Sequence, residues 1–173
     1  MAEKPQAWLR QLDAKDVDIV ASFEREIAKV SFPDDPITDL GFYAKKVGRL
    51  MDDRNAAAFV AEDNTGVVGW AYVSKRQNFI TKEPYADFHS IYVSPSQRGT
   101  GAAGKLVQAV FDFCRKEKLD RVVFRTRATN EPMKAVLARF GFIPTQIFYE
   151  RALDSDDGAV ARERDDADVD KSF

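Results

Sequence analysis

Apolar positions change their spacing several times along the chain, and each change predicts an element. Trp8 to Leu12 reads as a first strand. Val20, Phe23, Ile27 and Val30 then recur at intervals of three and four, which predicts a helix that Asp13 can cap. Phe32-Pro-Asp-Asp-Pro36 interrupts it, and Thr38 or Asp39 starts a second helix reaching about Met51. Residues 57–62 and 67–73 read as antiparallel strands around an Asp63-Asn-Thr-Gly66 turn. A loop over 77–85 leads to a strand over 87–93. A long helix from about Gly101 to Lys118 follows, with Ala103, Leu106, Val107, Val110, Phe111 and Cys114 on its core face. That helix is the crossover to a strand over 121–126, parallel to 87–93. Asn130 caps a short helix over 131–140, with Pro132 in its tolerant first turn, and 145–151 reads as a last strand. No internal repeat is visible.

Composition narrows the class. The chain has 173 residues, 45% of them hydrophobic, enough for one domain with a real core. We place that domain at residues 1–153. From Asp154 onward there are eight acidic residues against three basic ones, so the net charge of −2 hides a body of about +3. This tail, 154–173, has too few large apolar side chains to offset ordering entropy, and it is expected to be disordered. A mildly basic body suits an anionic small molecule and is too weak to argue for nucleic acid. No run of about 18 apolar residues and no leader pattern is present, so neither a membrane span nor export is expected. The single cysteine suits a reducing, cytoplasmic setting.

The densest chemistry lies in Ile91-Tyr-Val-Ser-Pro-Ser-Gln-Arg98-Gly-Thr-Gly-Ala-Ala-Gly-Lys-Leu106. A strand ends, a proline-marked corner follows, and a glycine-rich loop opens into a helix. Such a loop presents backbone N–H groups at the positive end of a helix dipole and is built to hold an anion, most often a phosphate. Gly99-Thr-Gly101-Ala-Ala-Gly104 matches the dinucleotide fingerprint G-x-G-x-x-G. That fingerprint needs its first glycine directly after a strand and an acidic residue at the end of the next one. Here Ser94 to Arg98 intervene, the next strand runs out through Arg125, Thr126 and Arg127, and Asp120 lies at its wrong end. Gly99 to Lys105 nearly spells a nucleotide-triphosphate P-loop, but Leu106 stands where a Mg²⁺-binding Ser or Thr is required. Both readings fail on chemistry.

A third reading keeps every residue. Arg98-x-x-Gly101-x-Ala103 resembles the pyrophosphate loop of the GNAT superfamily of acyl-CoA N-acyltransferases, Gln/Arg-x-x-Gly-x-Gly/Ala. Asn130-Glu-Pro-Met-Lys-Ala-Val-Leu-Ala-Arg-Phe-Gly141-Phe142 resembles that family's second signature, an asparagine, a short helix and Gly-Phe. The likeness covers roughly residues 56–150. It implies an α/β (α+β) fold: a mixed, mostly antiparallel central sheet with one parallel strand pair opened by the coenzyme site, flanked by about four helices. It implies acetyl-CoA as cosubstrate, without a metal, and transfer of the acetyl group to a primary amine by direct attack in a ternary complex. Coenzyme binding is then expected from Arg98, Gly99, Thr100, Gly101, Ala102 and Ala103 on the diphosphate. Ile91, Tyr92 and Val93 are expected along the pantetheine arm, and Asn130 nearby. The family leaves room for a homodimer.

Catalysis needs an unprotonated amine, because an alkyl ammonium with pKa near ~10 stays charged at neutral pH. Asp87 and His89, the latter the one histidine of the chain, alternate onto one strand face that Ile91 and Val93 should continue. Many relatives in the resembled family carry an acid where Asp87 stands. Both are candidates for the base, against the plainer reading of strand residues bonded to neighbours. Relatives often carry a tyrosine four residues before Gly-Phe to protonate the leaving thiolate, and this chain has Leu137 there. Tyr149 and Tyr92 are candidate substitutes, with packing the plainer role for each. A thiolate with pKa near ~8.5 can also leave without help.

The family shapes its acceptor pocket from the first two helices and the loop between them. Glu24, Glu26, Asp34 and Asp35 fall there, and with Asp87 they favour a cationic or peptidyl amine, although a charged surface loop explains them equally well. Two other classes stay open. One is a catalytically weak acyl-CoA-binding module, supported by Leu137. The other is an acyltransferase acting on charged tRNA, for which the Lys45-Lys46 and Lys75-Arg76 pairs are too modest.

Overall fold

The computed structural model describes residues 6–151, which divide into two units, 6–141 and 142–151. In the first unit five strands lie side by side in chain order: β1 (Trp8–Gln11), β2 (Ala56–Asp63), β3 (Gly66–Gln77), β4 (Pro84–Val93) and β5 (Val122–Phe124). The first four form an antiparallel meander, and β5 joins β4 in parallel. Four helices accompany them: α1 (Val17–Ser31), α2 (Leu40–Leu50), α3 (Ala102–Lys116) and α4 (Glu131–Arg139). The mixed sheet and helix count agree with the fold expected from the sequence.

Local chemistry accounts for the element ends. Asp39 caps α2 by accepting the Gly41 N–H at 2.9 Å, and Asn130 caps α4 by accepting from Met133 at 3.2 Å. A short 3-10 turn precedes α1, closed where the Asp13 N–H donates to Asp16 Oδ2 at 2.9 Å. The Asp63–Gly66 hairpin is an Asx turn: Asp63 Oδ1 accepts the Thr65 N–H at 2.7 Å, and Gly66 takes φ +124°. Both hairpin strands run further than the apolar pattern alone suggested, since the β3–β4 ladder continues to Gln77 and Pro84.

Side chains from α1 and α2 cover one sheet face. Val20, Phe23 and Val47 pack there on Val60, Trp70 and Tyr72, all buried. Burying such side chains contributes roughly 1.5–3 kcal/mol each. On the opposite face α3 buries Leu106, Val107, Val110 and Cys114. Gly69 marks how closely that side is packed: a Cβ there would lie 2.8 Å from the Tyr92 carbonyl oxygen and 3.4 Å from Leu106.

Two expectations need correction. The segment 142–151 forms no strand, and Ile143, Ile147, Phe148 and Tyr149 are exposed in it. Period-two patterning yields a strand only where a neighbouring edge satisfies the backbone, and no such ladder forms here. The second correction concerns β4. Tyr72 pairs with Ser90 but Val73 pairs with Phe88, so His89 is an extra residue, a bulge. Alternation shifts by one across it. Asp87 lies opposite Ser74, and Tyr92 lies opposite Trp70, so these share the α1–α2 face with His89. Ile91 and Val93, opposite Ala71 and Gly69, turn to the α3 face instead of continuing the line of Asp87. The predicted acidic tail and the residues before position 6 lie outside the described residues.

Candidate active site

β4 and β5 are hydrogen-bonded partners over three positions only, Ala86 to Phe88 against Val122 to Phe124. Among the described residues no strand pairs with β4 on that side beyond Phe88. The backbone of His89 to Val93 is therefore bonded to β3 along one edge and open along the other. An extended chain could add to that edge through main-chain hydrogen bonds. Ile91, Tyr92 and Val93 lie along it, their backbone groups alternating between the open edge and β3.

The open edge leads into the glycine loop. After Val93 the chain makes a 3-10 turn over Pro95–Gln97, exposes Arg98, and enters α3 through Gly101 at φ +88°. Gly99 has φ +82°. Nothing lies within 4 Å of a Cβ built on either glycine, so the backbone conformation, and not crowding, requires them there. Thr100 turns its hydroxyl back to the Gln97 carbonyl at 2.8 Å. The first helical bond is Lys105 N–H to the Gly101 carbonyl at 3.1 Å, so the N–H groups of Ala102, Ala103 and Gly104 have no carbonyl upstream within the helix. The result is an uncrowded cluster of donors at a helix N-terminus. It fits a diphosphate in shape and in sign.

The second motif is brought to the same place. The ring of Phe140, at the end of α4, sits 3.6 Å from a Cβ built on Gly104 in the first turn of α3. Asn130 stands at the other end of α4, its side-chain oxygen used for the cap. Leu137 is half-buried on that helix.

On the α1–α2 face, the bulge gathers a polar chain. His89 Nε2 lies 2.8 Å from Ser74 Oγ and 3.7 Å from Asp87 Oδ2. Asp87 Oδ1 in turn accepts from Arg125 Nη1 at 2.8 Å. The imidazole stacks on Tyr72, ring centres 4.6 Å apart, and Tyr72 stacks on Trp70. Burial pushes the His89 pKa below its ordinary value. The Asp87 charge opposes that shift, and the positive charges of Arg76, Lys46 and Arg125 add to it. A neutral imidazole at neutral pH, able to accept a proton, is the consequence. Burial also raises the Tyr72 hydroxyl, with a Ser74 hydrogen bond acting the other way. Sequence reasoning found Asp87 and His89 but missed Ser74 and Arg125. Ser74 could have been found from the hairpin register, which places it opposite Asp87, and Arg125 from its place just beyond the parallel strand.

Above this face lie α1, α2 and their connection. Tyr92 stacks on Phe23 of α1 at 4.5 Å. Next to Phe23, buried Glu24 pairs with Lys46 of α2 at 2.5 Å, and its Oε1 has no hydrogen-bond partner among the described residues. Burial, and then the Glu24 charge, raise the Tyr43 hydroxyl, which donates to the Ile37 carbonyl at 2.8 Å. Arg127 Nη1 donates to the Ser31 carbonyl at 3.0 Å and ties the end of α1 to the segment after β5. Glu26 bonds Lys29 on the solvent side. Three of the carboxylates expected at the mouth thus carry a cation of their own, while Val30, Phe32, Ile37, Leu40 and Phe42 expose apolar surface along the same elements. Tyr149 lies in the 142–151 unit, 92% exposed.

Among the described residues no three His, Cys, Asp or Glu side chains are grouped to hold a metal ion, and no helix is long and apolar enough to cross a membrane. The sheet thus parts after a short parallel pair, beside a glycine loop at a helix N-terminus. Residues 18–142 match the acetyltransferase (GNAT) family, and the chain belongs to that family. Solved structures share the fold at low identity. One is ribosomal-protein-alanine N-acetyltransferase from Brucella melitensis biovar Abortus 2308, with TM-score 0.67 and 20% identity over 86% of this chain and 99% of that one. The aminoglycoside N-acetyltransferase AAC(6')-Iy in complex with CoA gives 0.70 and 20%, covering 88% and 99%. A transcriptional regulator from Bacillus halodurans C-125 gives 0.69 and 13%, covering 86% and 100%.

Proposed function

We propose that this protein is an N-acetyltransferase that moves an acetyl group from acetyl-CoA to the primary amine of a small or peptidyl acceptor, both substrates being held together. The observation that carries the reading is the continuity of the open β4 edge with the donor-rich loop at the start of α3. The loop 98–103 would take the diphosphate through the N–H groups of Gly99, Gly101, Ala102 and Ala103, and Asn130, at the other end of α4 from Phe140, would meet the coenzyme further along. The open-edge backbone groups of the Ile91, Tyr92 and Val93 stretch would align the pantetheine arm, and one N–H there would face the thioester carbonyl. Such a donor is typically worth ~2.7–4 kcal/mol. Acetyl-CoA supplies an activated acyl group whose leaving thiolate is tolerable near neutral pH.

His89 accepts the amine proton in this reading, kept neutral by burial and steered by Ser74 and by Asp87, which Arg125 holds in place. Direct proton acceptance by Asp87 is the alternative within the same reading. Tyr149 is the candidate proton donor to the thiolate. The paired carboxylates and exposed apolar side chains of α1, α2 and their loop support an acceptor recognised by more than its charge. Peptidyl and apolar amines therefore belong in a screen beside polyamines and amino sugars. Neighbours of the same fold are named for ribosomal-protein alanine and for aminoglycosides, which supports including both kinds of acceptor.

The test is thiol release from acetyl-CoA with such a panel, preceded by thermal stabilisation with acetyl-CoA. Stabilisation and amine-dependent thiol release are expected. A second reading, a coenzyme-binding module with little turnover, is favoured by Leu137, and it requires stabilisation without release by any amine. Absence of stabilisation would refute both.

A further inference from the structure

Two pins hold the loop ahead of α3, and both are set in the β2–β3 hairpin. Ser94 directs its N–H and its hydroxyl to the Val68 carbonyl, each at 2.8 Å. Gln97 directs its Nε2 to Asp63 Oδ2 at 2.5 Å, and both side chains are buried. The other Asp63 oxygen accepts the Thr65 N–H at 2.7 Å and hydroxyl at 2.6 Å. The Thr65 bonds foremost, with Gln97 adding to them, hold the Asp63 carboxyl below its ordinary pKa against the effect of burial. An ionised acceptor makes the bond to Gln97 stronger than a neutral pair would be.

The influence of Gln97 runs forward along the loop. Its carbonyl accepts both the Thr100 N–H, at 3.3 Å, and the Thr100 hydroxyl, at 2.8 Å. Moving Gln97 therefore moves Thr100, which stands between the two glycines with positive φ. Those glycines have no side chain with which to fix their own direction, and open space surrounds them. Whatever aims the N–H groups must act from beneath.

We propose that Asp63 is a positioning residue for the coenzyme loop. Through Gln97 it sets the direction of the N–H groups of residues 98–103, so the grip on the diphosphate depends on a carboxylate that does not touch it. The proposal rests on the coenzyme assignment made above.

The test exchanges the two ends of the bond. Gln97→Glu sets one carboxylate against another and is expected to raise the acetyl-CoA Kd by roughly tenfold or more, with kcat at saturation within about twofold. The double variant Asp63→Asn/Gln97→Glu restores a donor and an acceptor in reversed order, and it is expected to return the Kd to within about threefold of wild type. Gln97→Met, which deletes the donor without adding charge, serves if Gln97→Glu fails to fold. Amide hydrogen exchange at Arg98 and Thr100, whose N–H groups donate to the Pro95 and Gln97 carbonyls, should quicken in each single variant, measured without ligand, and return to normal in the double. An unchanged Kd with unchanged exchange in folded Gln97→Met would overturn the proposal, as would a double variant as weak as the single. Failure of the wild type to bind acetyl-CoA would instead remove the coenzyme reading. The exchange arm would still decide whether Asp63 holds the loop: quicker exchange supports it, and unchanged exchange refutes it.

Discussion

On the proposed reading, the acyl-donor half of the site and the acceptor half are built from different materials. The donor half is main chain: an open strand edge, two glycines at positive φ and the first turn of α3. The acceptor half is side chain: Glu24 on Lys46, Tyr43 on the Ile37 carbonyl, Arg127 on the Ser31 carbonyl, and an aromatic stack through Phe23 and Tyr92. Backbone donors do not change with residue identity so long as the conformation holds, so a conformational defect should be ruinous in the first half. In the second, a single substitution should alter preference and leave the architecture intact.

The largest expected effect follows from Gly101→Glu. A non-glycine residue at φ +88° costs about 1–2 kcal/mol, and the carboxylate adds repulsion inside an anion site, so acetyl-CoA affinity should fall by roughly a hundredfold or more. Calorimetric titration checks it, and unchanged affinity would show that the diphosphate binds elsewhere. His89→Gln comes next, because it tests the seam between the halves. Loss of a general base should lower kcat by about 10²-fold or more without changing the acetyl-CoA Kd. Since burial depresses the His89 pKa, the wild-type kcat should hold down to about pH 6.5 and fall only below it. The variant should lack that limb. The same sign applies to stability: protonating His89 opposes folding, so its contribution is present above about 6.5 and lost as the pH drops through the lowered value.

Smaller changes are expected in the acceptor half. Glu24→Gln leaves Lys46 without its carboxylate, but Lys46 is 42% exposed, so the stability loss should be about 1 kcal/mol by urea titration. The acetyl-CoA Kd should not move, while KM for the amine should. A shift in coenzyme affinity would mean that the halves are not separable. The smallest effect is expected from Leu137→Tyr. That position is half-buried on α4, and activity should stay level or rise a few-fold. A large fall in steady-state rate would show that the leucine is needed for packing.

This division also explains what the sequence could reveal. Gly99, Gly101 and Asn130 are demanded by local geometry, so the loop and the cap of α4 were readable from a few neighbours each. The β2–β3 hairpin and the parallel crossover from β4 to β5 followed from the same local signals. The Ser74–His89 and Arg125–Asp87 contacts span 15 and 38 residues, and they depend on a register that no local pattern states. The strand expected at 145–151 failed for a related reason: alternating apolar residues show what a strand could bury, not whether the segment pairs with another strand. Tyr149 consequently remains a candidate without the geometry that would assign it.

The bulge at His89 works as a phase change written into one strand. Without it, Asp87 and Tyr92 would point to opposite layers, and the imidazole could not share a layer with both. Deleting His89 should therefore leave a regular ladder, with Ser90, Ile91 and Tyr92 keeping their present partners on β3 and their present faces. What such a deletion removes is the imidazole, with its contacts to Ser74 and Tyr72. Comparisons with distant relatives that ignore this added residue would pair the wrong positions over the most important stretch of the chain.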